Sequence, residues 1–573
     1  MLFIKGGVYI MISRILCLLL CAALFVGVLA ACGRSADPPE AETGAPEQTT
    51  VEPEPEPPAP EPEPPAPLPP RPVPPFDRDS GWEDLNAIRA IAASIDSTAE
   101  RPPSPETPER TAEDIAAIRA AVAAAAPGTE IIVPNGIYRD FQITISASGA
   151  EGAPITFRAE NPGYVILTGR STITVTGNFV HVDGFFFTDG WAPNAISFAN
   201  NPTNGQLTRN AIVNFNPPLA TQDTRWVRIT GRNHVIVENY FRGKTNRGMM
   251  LEIVRLQSGS GIPDNHYIAR NFFGDFARGN SNGWETVRIG LSGTSLTGSA
   301  NCIMEFNFFH RTDGENEIIS NKSNGNIYRF NTFYDARGEL TLRHGNDAIV
   351  EGNLFIGTRD HVSIRVIGDR HQIINNFIVP AQGSNGLQIN NGQPNAPGLP
   401  HPPLSGHHAA RDTVVRGNIL FDVSGTFVNL GATGSSGRPI AASGIFENNL
   451  LVSPRAGNNV FTINSHMPIS GWSFADNVSH GLRPLGLPAE AAAGFRTDVD
   501  PQMREFALPG LPVTISFPTN PEMNAGFSFE DLRAPFTPME IVPEWIFWRM
   551  MDGDERFVFN PDKSAPFLLR APD

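Results

Sequence analysis

The chain has 573 residues, a formal net charge of −16 and four cysteines. So acidic a total argues against a polyanionic partner, but nine acidic and no basic residues lie between Asp37 and Pro70, leaving about −7 elsewhere. Only Cys302 follows Cys32, which excludes a disulfide framework in the body of the chain.

Lys5 and Arg14 precede an apolar run, Ile15 to Ala31, that ends in Leu29-Ala30-Ala31-Cys32. Residues 1–31 read as a secretory signal that starts at Met1 or Met11. The ending resembles a bacterial lipobox, which implies cleavage before Cys32 and lipidation of its thiol; ordinary secretion and a retained membrane helix are the alternatives. Gly33, where an inner-membrane lipoprotein would carry Asp, implies a lipid anchor in the outer membrane of a bacterial cell envelope. Residues 32–105, with the stretch VEPEPEPPAPEPEPPAPLPPRPVPP, form an extended, self-repelling tether, interrupted by a short helix from Trp82 to Ser97.

Thr111 to Ala126 reads as a helix, with Thr111 as N-cap, Asp114 three residues on and Pro127-Gly128 as a stop. It is placed to cover the open end of a strand stack. From there short β-rich runs are cut by Gly, Asn and Pro. The segment Asn178 to Gly190, NFVHVDGFFFTDG, is the first clear unit. An Asn-x-Phe unit recurs at Asn307, Asn331, Asn353 and Asn375, at spacings of 24, 22 and 22, with further Asn-centred units at Asn239, Asn271, Asn418, Asn449 and Asn477. That period defines an all-β parallel β-helix over residues 106–480, with Phe stacked inward and Asn bonded along the axis at the bends. Longer intervals, such as the 43 residues from Asn375 to Asn418, imply loops at the rim of the solenoid that build a groove. Beyond Gly481 the repeat is lost, and residues 481–573, with Trp545 and Trp548, are expected to pack as a C-terminal cover.

Residues one coil apart lie on neighbouring strands, about 4.8 Å apart. Counted from each repeat Asn, Asn282 is at position eleven, Glu315, Glu317 and Lys322 at eight, ten and fifteen, Arg343 and His344 at twelve and thirteen, and Arg365 at twelve. All fall in one part of the coil. Two carboxylates and an amide oxygen suit a hard cation, and Ca²⁺ tolerates such an irregular shell better than Mg²⁺. The bland alternative is two surface glutamates paired with nearby cations. A lysine beside an arginine and a bound cation sheds its proton more readily, which suits Lys322 to act as a general base. Arg343 stabilises developing negative charge, His344 reacts or orients a neighbour, and Arg365 clamps a second carboxylate. Together they suit removal of the C5 proton of a uronic acid followed by β-elimination of the C4 oxygen. Hydrolysis would need a pair of carboxyl groups set for acid and base work.

The motifs GWETVRIG (Gly283 to Gly290), DGENEIISNKS (Asp313 to Ser323), GELTLRHGN (Gly338 to Asn346), IRVIG (Ile364 to Gly368) and FRGKTNRG (Phe241 to Gly248) resemble polysaccharide lyase family six, the right-handed parallel β-helix enzymes that include alginate lyases and chondroitinase B. The resemblance spans about Thr111 to Asn477. It implies Lys322 as Brønsted base, Arg343 as acid, and Glu315, Glu317 and Asn282 as Ca²⁺ ligands. It also implies substrate contacts from Lys244 and, because this chain has Trp where the family usually has a second Gly, from Trp284 in the groove. The expected activity is a Ca²⁺-dependent alginate lyase acting on polymannuronate-type linkages. A dermatan sulfate lyase is the rival, with Arg359 and Arg370 as candidate sulfate cations, and a noncatalytic polysaccharide-binding β-helix is the alternative of another class.

Overall fold

A computed structural model describes residues 104–507 apart from short segments (256–260, 295–297, 358–361, 381–384, 396, 398–402, 404, 424, 433–438, 454–459, 465–467, 482–485 and 500), then 514–519 and, between 543 and 557, residues 543, 545, 546, 549, 554, 556 and 557. Cys32, the signal and the tether, Arg359 and Trp548 lie outside the described residues. The chain winds into a right-handed parallel β-helix of three sheets with 13, 14 and 12 strands, each strand pairing with the one three places on except for the last pair of the 14-stranded sheet. The sheets begin with strands Glu130–Val133, Gly136–Arg139 and Gln142–Ile145, here the first, second and third sheets.

The helix spans Ala112–Ala123, three residues shorter than expected. Thr111 and Asp114 close a reciprocal capping box, Asp114 N to Thr111 Oγ1 at 3.2 Å and Thr111 N to Asp114 Oδ2 at 2.8 Å. Ile115, Ile118 and Val122 are its buried stripe, packed into the main core over the first coil.

Inside the solenoid, Phe273, Phe309, Phe333 and Phe355 stack one per coil, with centroids 4.9, 4.6 and 4.5 Å apart. The asparagine ladder runs beside them through Asn210, Asn239, Asn271, Asn307, Asn331, Asn353, Asn376, Asn418, Asn449 and Asn477. Each rung receives the backbone N–H and side-chain amide of the rung before it, as Asn331 does from Asn307 at 3.1 and 2.9 Å. The rung in the fourth Asn-x-Phe unit is Asn376, not the Asn375 that the spacing selects. Asn375 occupies the preceding position, which takes positive φ in coil after coil: Glu238, Arg270, Phe306, Phe330, Gly352 and Asn375 lie at +52° to +62°. Asparagine tolerates that left-handed corner well, so two adjacent Asn fill the corner and the rung.

A second ladder lines the bend before the first sheet. Backbone N–H groups of the neighbouring coil donate to His234, His266 and His371 Nδ1 at 2.9, 3.2 and 3.1 Å. Burial pushes His234 and His371 down to about 4, so these rings are neutral acceptors near neutral pH.

The second sheet continues past Gly481: strand Phe495–Arg496 pairs with Asn477–His480, and Phe495 packs on Phe446, Phe461 and Phe474 at that end. Ile546 and Phe557 are fully buried against Phe186, Tyr240 and Phe272 on the outer face of the second sheet. The described residues beyond Gly481 thus meet the solenoid in two places, Phe495 at the last coils and Ile546 and Phe557 on the early ones.

Candidate active site

Four adjacent strands of the third sheet carry the site: Val287–Gly290, Glu317–Lys322, Gly338–His344 and Val362–Val366. Their inward residues, among them Ile289, Ile319, Leu340 and Ile364, are fixed in the core, which leaves the alternate positions outward. Val287 pairs with Ile319, so continuing that register two residues back brings Glu285 level with Glu317. Glu317 in turn pairs with Glu339 on the next strand.

Glu285, Glu315 and Glu317 each place an oxygen within 4.8 Å of the others. Glu315 Oε2 accepts the backbone N–H groups of Gly283 and Trp284 at 2.9 and 3.1 Å. Burial, then the charge of Glu285, pushes the Glu315 carboxyl up to about 7. Glu285 Oε2 is buried without a hydrogen-bond partner among the described residues. Clustered, desolvated carboxylates with a spare oxygen are a donor set that a hard cation fits, since its charge removes their mutual repulsion.

Lys322 Nζ lies 3.3 Å from Glu285 Oε1. Its partner across the ladder is His344, because the register shifts between Asn321 and Lys322 and leaves Arg343 as the extra residue of a β-bulge. Simple counting makes Arg343 the direct neighbour of Lys322; the bulge instead re-aims Arg343 toward Glu317, with Nε 3.6 Å from Oε1. Arg343 Nη1 also donates to Gly406 O at 3.3 Å and sits 3.4 Å from His344 Nδ1. Burial lowers the pKa of Arg343, and Arg365 lowers it further. Burial, followed by Arg343 and Lys322, drives His344 down to about 2, so the ring stands neutral beside the Arg343 guanidinium.

Arg365 pairs with Thr341, two residues ahead of Arg343, and so faces Glu339. Burial raises the Glu339 carboxyl to about 7, with Arg365 opposing the rise and Gln388 donating to it. Asn282 lies exposed at the end of the loop that leads to Glu285. Two residues expected in the groove are elsewhere. Trp284 is 4% exposed and packs on Phe276 in the core, because the turn at Gly283 points it inward. Lys244 is fully buried, with Nζ donating to Thr224 Oγ1 and Asn246 Oδ1 at 3.1 and 2.9 Å, and burial holds its pKa well below the usual lysine range.

Glu285 and Glu339 join the site although the sequence motifs did not single them out. The offset count hides Glu285, since Arg288 is seventeen residues after Asn271 while its partner Ser320 is thirteen after Asn307. Allowing for those four extra residues puts Glu285 at offset ten, level with Glu317. Glu339 stands eight after Asn331, the same offset as Glu315 from Asn307, and that spacing is visible in the sequence.

The family model described as Chondroitinase B matches residues 113–477, and the chain belongs to polysaccharide lyase family six. Among solved structures it is similar to the PL6 family alginate lyase AlyGC, with 32% identity and a TM-score of 0.66 over 75% of this chain and 58% of that one. A mannuronic acid specific family 6 lyase from human gut microbiota is 27% identical, with a TM-score of 0.61 over 69% of this chain and 92% of that one. The family polysaccharide lyase Pedsa3628 from Pseudopedobacter saltans shares the fold at 23% identity and a TM-score of 0.54, over 64% of this chain and 90% of that one. No curated protein matches. The chain therefore spans less than two thirds of AlyGC.

Proposed function

We propose that this chain is a polysaccharide lyase that cleaves a uronate polymer, alginate with polymannuronate-type linkages first, by β-elimination. The observation that carries the reading is the contact of Lys322 and Arg343 with one carboxylate cluster, through Glu285 at 3.3 Å and Glu317 at 3.6 Å. Glu285, Glu315 and Glu317, with Asn282 at the loop edge, are the residues that would hold Ca²⁺. Bound there, the ion would supply positive charge to a uronate carboxylate and so acidify the proton on C5.

Lys322 takes the C5 proton. The C–H electron pair becomes the C4–C5 double bond as the C4–O bond breaks, and an Arg343 N–H gives its proton to the departing oxygen. Glu285 holds the Lys322 amine in place, while Glu317, neutral His344 and the Gly406 carbonyl hold the guanidinium. Arg365 is assigned to a substrate carboxylate beside Glu339.

Dermatan sulfate is the weaker substrate, since the Arg370 fork is taken by Asp347 at 2.8 and 2.9 Å. The test is incubation with alginate, polymannuronate, polyguluronate and dermatan sulfate, reading the ultraviolet absorbance of an unsaturated uronate. Polymannuronate is expected to give the fastest rise, suppressed by chelator and restored by Ca²⁺. No rise on any of the four would leave a noncatalytic binder. Attachment to the outer membrane through Cys32 belongs to the same proposal; incorporation of a tagged fatty acid that C32A does not abolish would refute it.

A further inference from the structure

The FRGKTNRG motif delivers a residue to the site, but that residue is Arg247. Its backbone is held on every side: Arg247 N donates to Ala220 O at 2.8 Å, and Arg247 O accepts from Thr224 N at 3.0 Å and Asn246 Nδ2 at 2.9 Å. The buried Lys244 amine, bonded to Thr224 and Asn246, braces that turn from beneath. Gly248 N donates to Gly283 O at 2.8 Å and ties the turn to the next coil. The Arg247 side chain, in contrast, is exposed. Its guanidinium lies over Gly283: Nε and Nη2 are 2.8 and 3.2 Å from where a β-carbon on that residue would be. Gly283, at φ +97°, is the residue whose N–H binds Glu315. Arg247 thus stands just across one peptide from the carboxylate cluster.

Its neighbours have acceptors. Arg225, Arg228 and Arg288 surround Glu252, and Arg343 pairs with Glu317. Arg247 has no hydrogen-bond or ion-pair partner for its side chain among the described residues. It precedes the strand Leu251–Ile253, which lies two strands before Glu317–Lys322, about 10 Å along the axis. A guanidinium on a fixed backbone, unpaired and beside an anion-processing site, presents a fork that matches a carboxylate.

We propose that Arg247 is a substrate-binding residue that takes the carboxylate of a uronate unit next to the one being cleaved, on the side of the earlier coils. This rests on the lyase reading above. The experiment compares wild type, R247A and R247K on polymannuronate, with thermal midpoints to show that all three are folded. R247A is expected to raise KM at least about tenfold with a much smaller change in kcat, as loss of one charged hydrogen-bond pair would. R247K should recover only part, since a point charge cannot make the bidentate contact. An unchanged KM, or a loss confined to kcat, would overturn the assignment. If the wild type depolymerises nothing, the lyase reading falls separately, and affinity electrophoresis in polymannuronate gels decides Arg247: equal retardation of wild type and R247A, or none, rejects it.

Discussion

Glu285 is the residue on which the candidate cation site and the candidate base meet, because one oxygen faces Lys322 and the other is buried without a hydrogen-bond partner among the described residues. E285Q should therefore weaken Ca²⁺ binding at least ~10-fold, as read by isothermal titration calorimetry. An unchanged affinity would remove Glu285 from the ligand set, and a similar loss in N282A would add the exposed Asn282 to it. Trp284 separates core from groove. W284A should cost about 3–5 kcal/mol of unfolding free energy, the range for emptying a buried aromatic site, where a groove tryptophan would leave the denaturation midpoint almost unmoved. These residues also show what was legible. Glu315 and Glu317 are two apart, so alternation alone put those two on one face, while Lys322 has the opposite parity and joins them because the strand register shifts between Glu317 and Ile319. Arg343 and Glu285 depend on a bulge and on four extra residues in one coil, and neither leaves a mark in residue type. Lys244 and Trp284 look like groove residues by chemistry, and only packing shows that they are buried.

At the scale of the element, the asparagine ladder gives each coil its place on the next. Asn376 Oδ1 accepts from Asn353 N and Nδ2 at 3.0 and 2.9 Å, while its own amide donates to Val350 O and Asn418 Oδ1 at 2.9 and 3.0 Å. N376A strands several of those buried groups, each worth about 1–3 kcal/mol, and should lower the urea midpoint sharply. N375G, at φ +53°, should change stability by less than about 1 kcal/mol. Equal effects of the two substitutions would contradict the one-residue shift of the ladder. The repeat itself was plain in the sequence, because Asn and Phe return at nearly fixed intervals. Its phase was not, since Asn375 and Asn376 are the same residue type and only the corner conformation distinguishes them.

For the whole molecule, stability is the sum of coils stacked on their neighbours, with the helix at one end and Phe495 at the other sealing the core. The buried histidines give that stack a pH dependence. His371 has a folded pKa of about 4 against 6.5 for the free side chain. Above 6.5 it is neutral in both states. As pH falls from 6.5 toward 4, the unfolded chain gains a proton that the folded one refuses, so stability declines by up to ~1.4 kcal/mol per pH unit for this group. H371Q keeps a side-chain acceptor and should flatten that decline in unfolding experiments between pH 7.5 and 4.5; an identical slope would show that the ring is protonated in the fold.

The central claim is that two neighbouring coils bring an amine and a guanidinium to a single cation-ready cluster and there break a uronate chain. The most direct measurement is the initial rate of unsaturated-uronate formation from polymannuronate by the wild type, K322A and R343A, each with Ca²⁺ present. The wild type should turn over and each variant should lose about 10²–10⁴-fold. A K322A variant that makes the unsaturated product at the wild-type rate would contradict it.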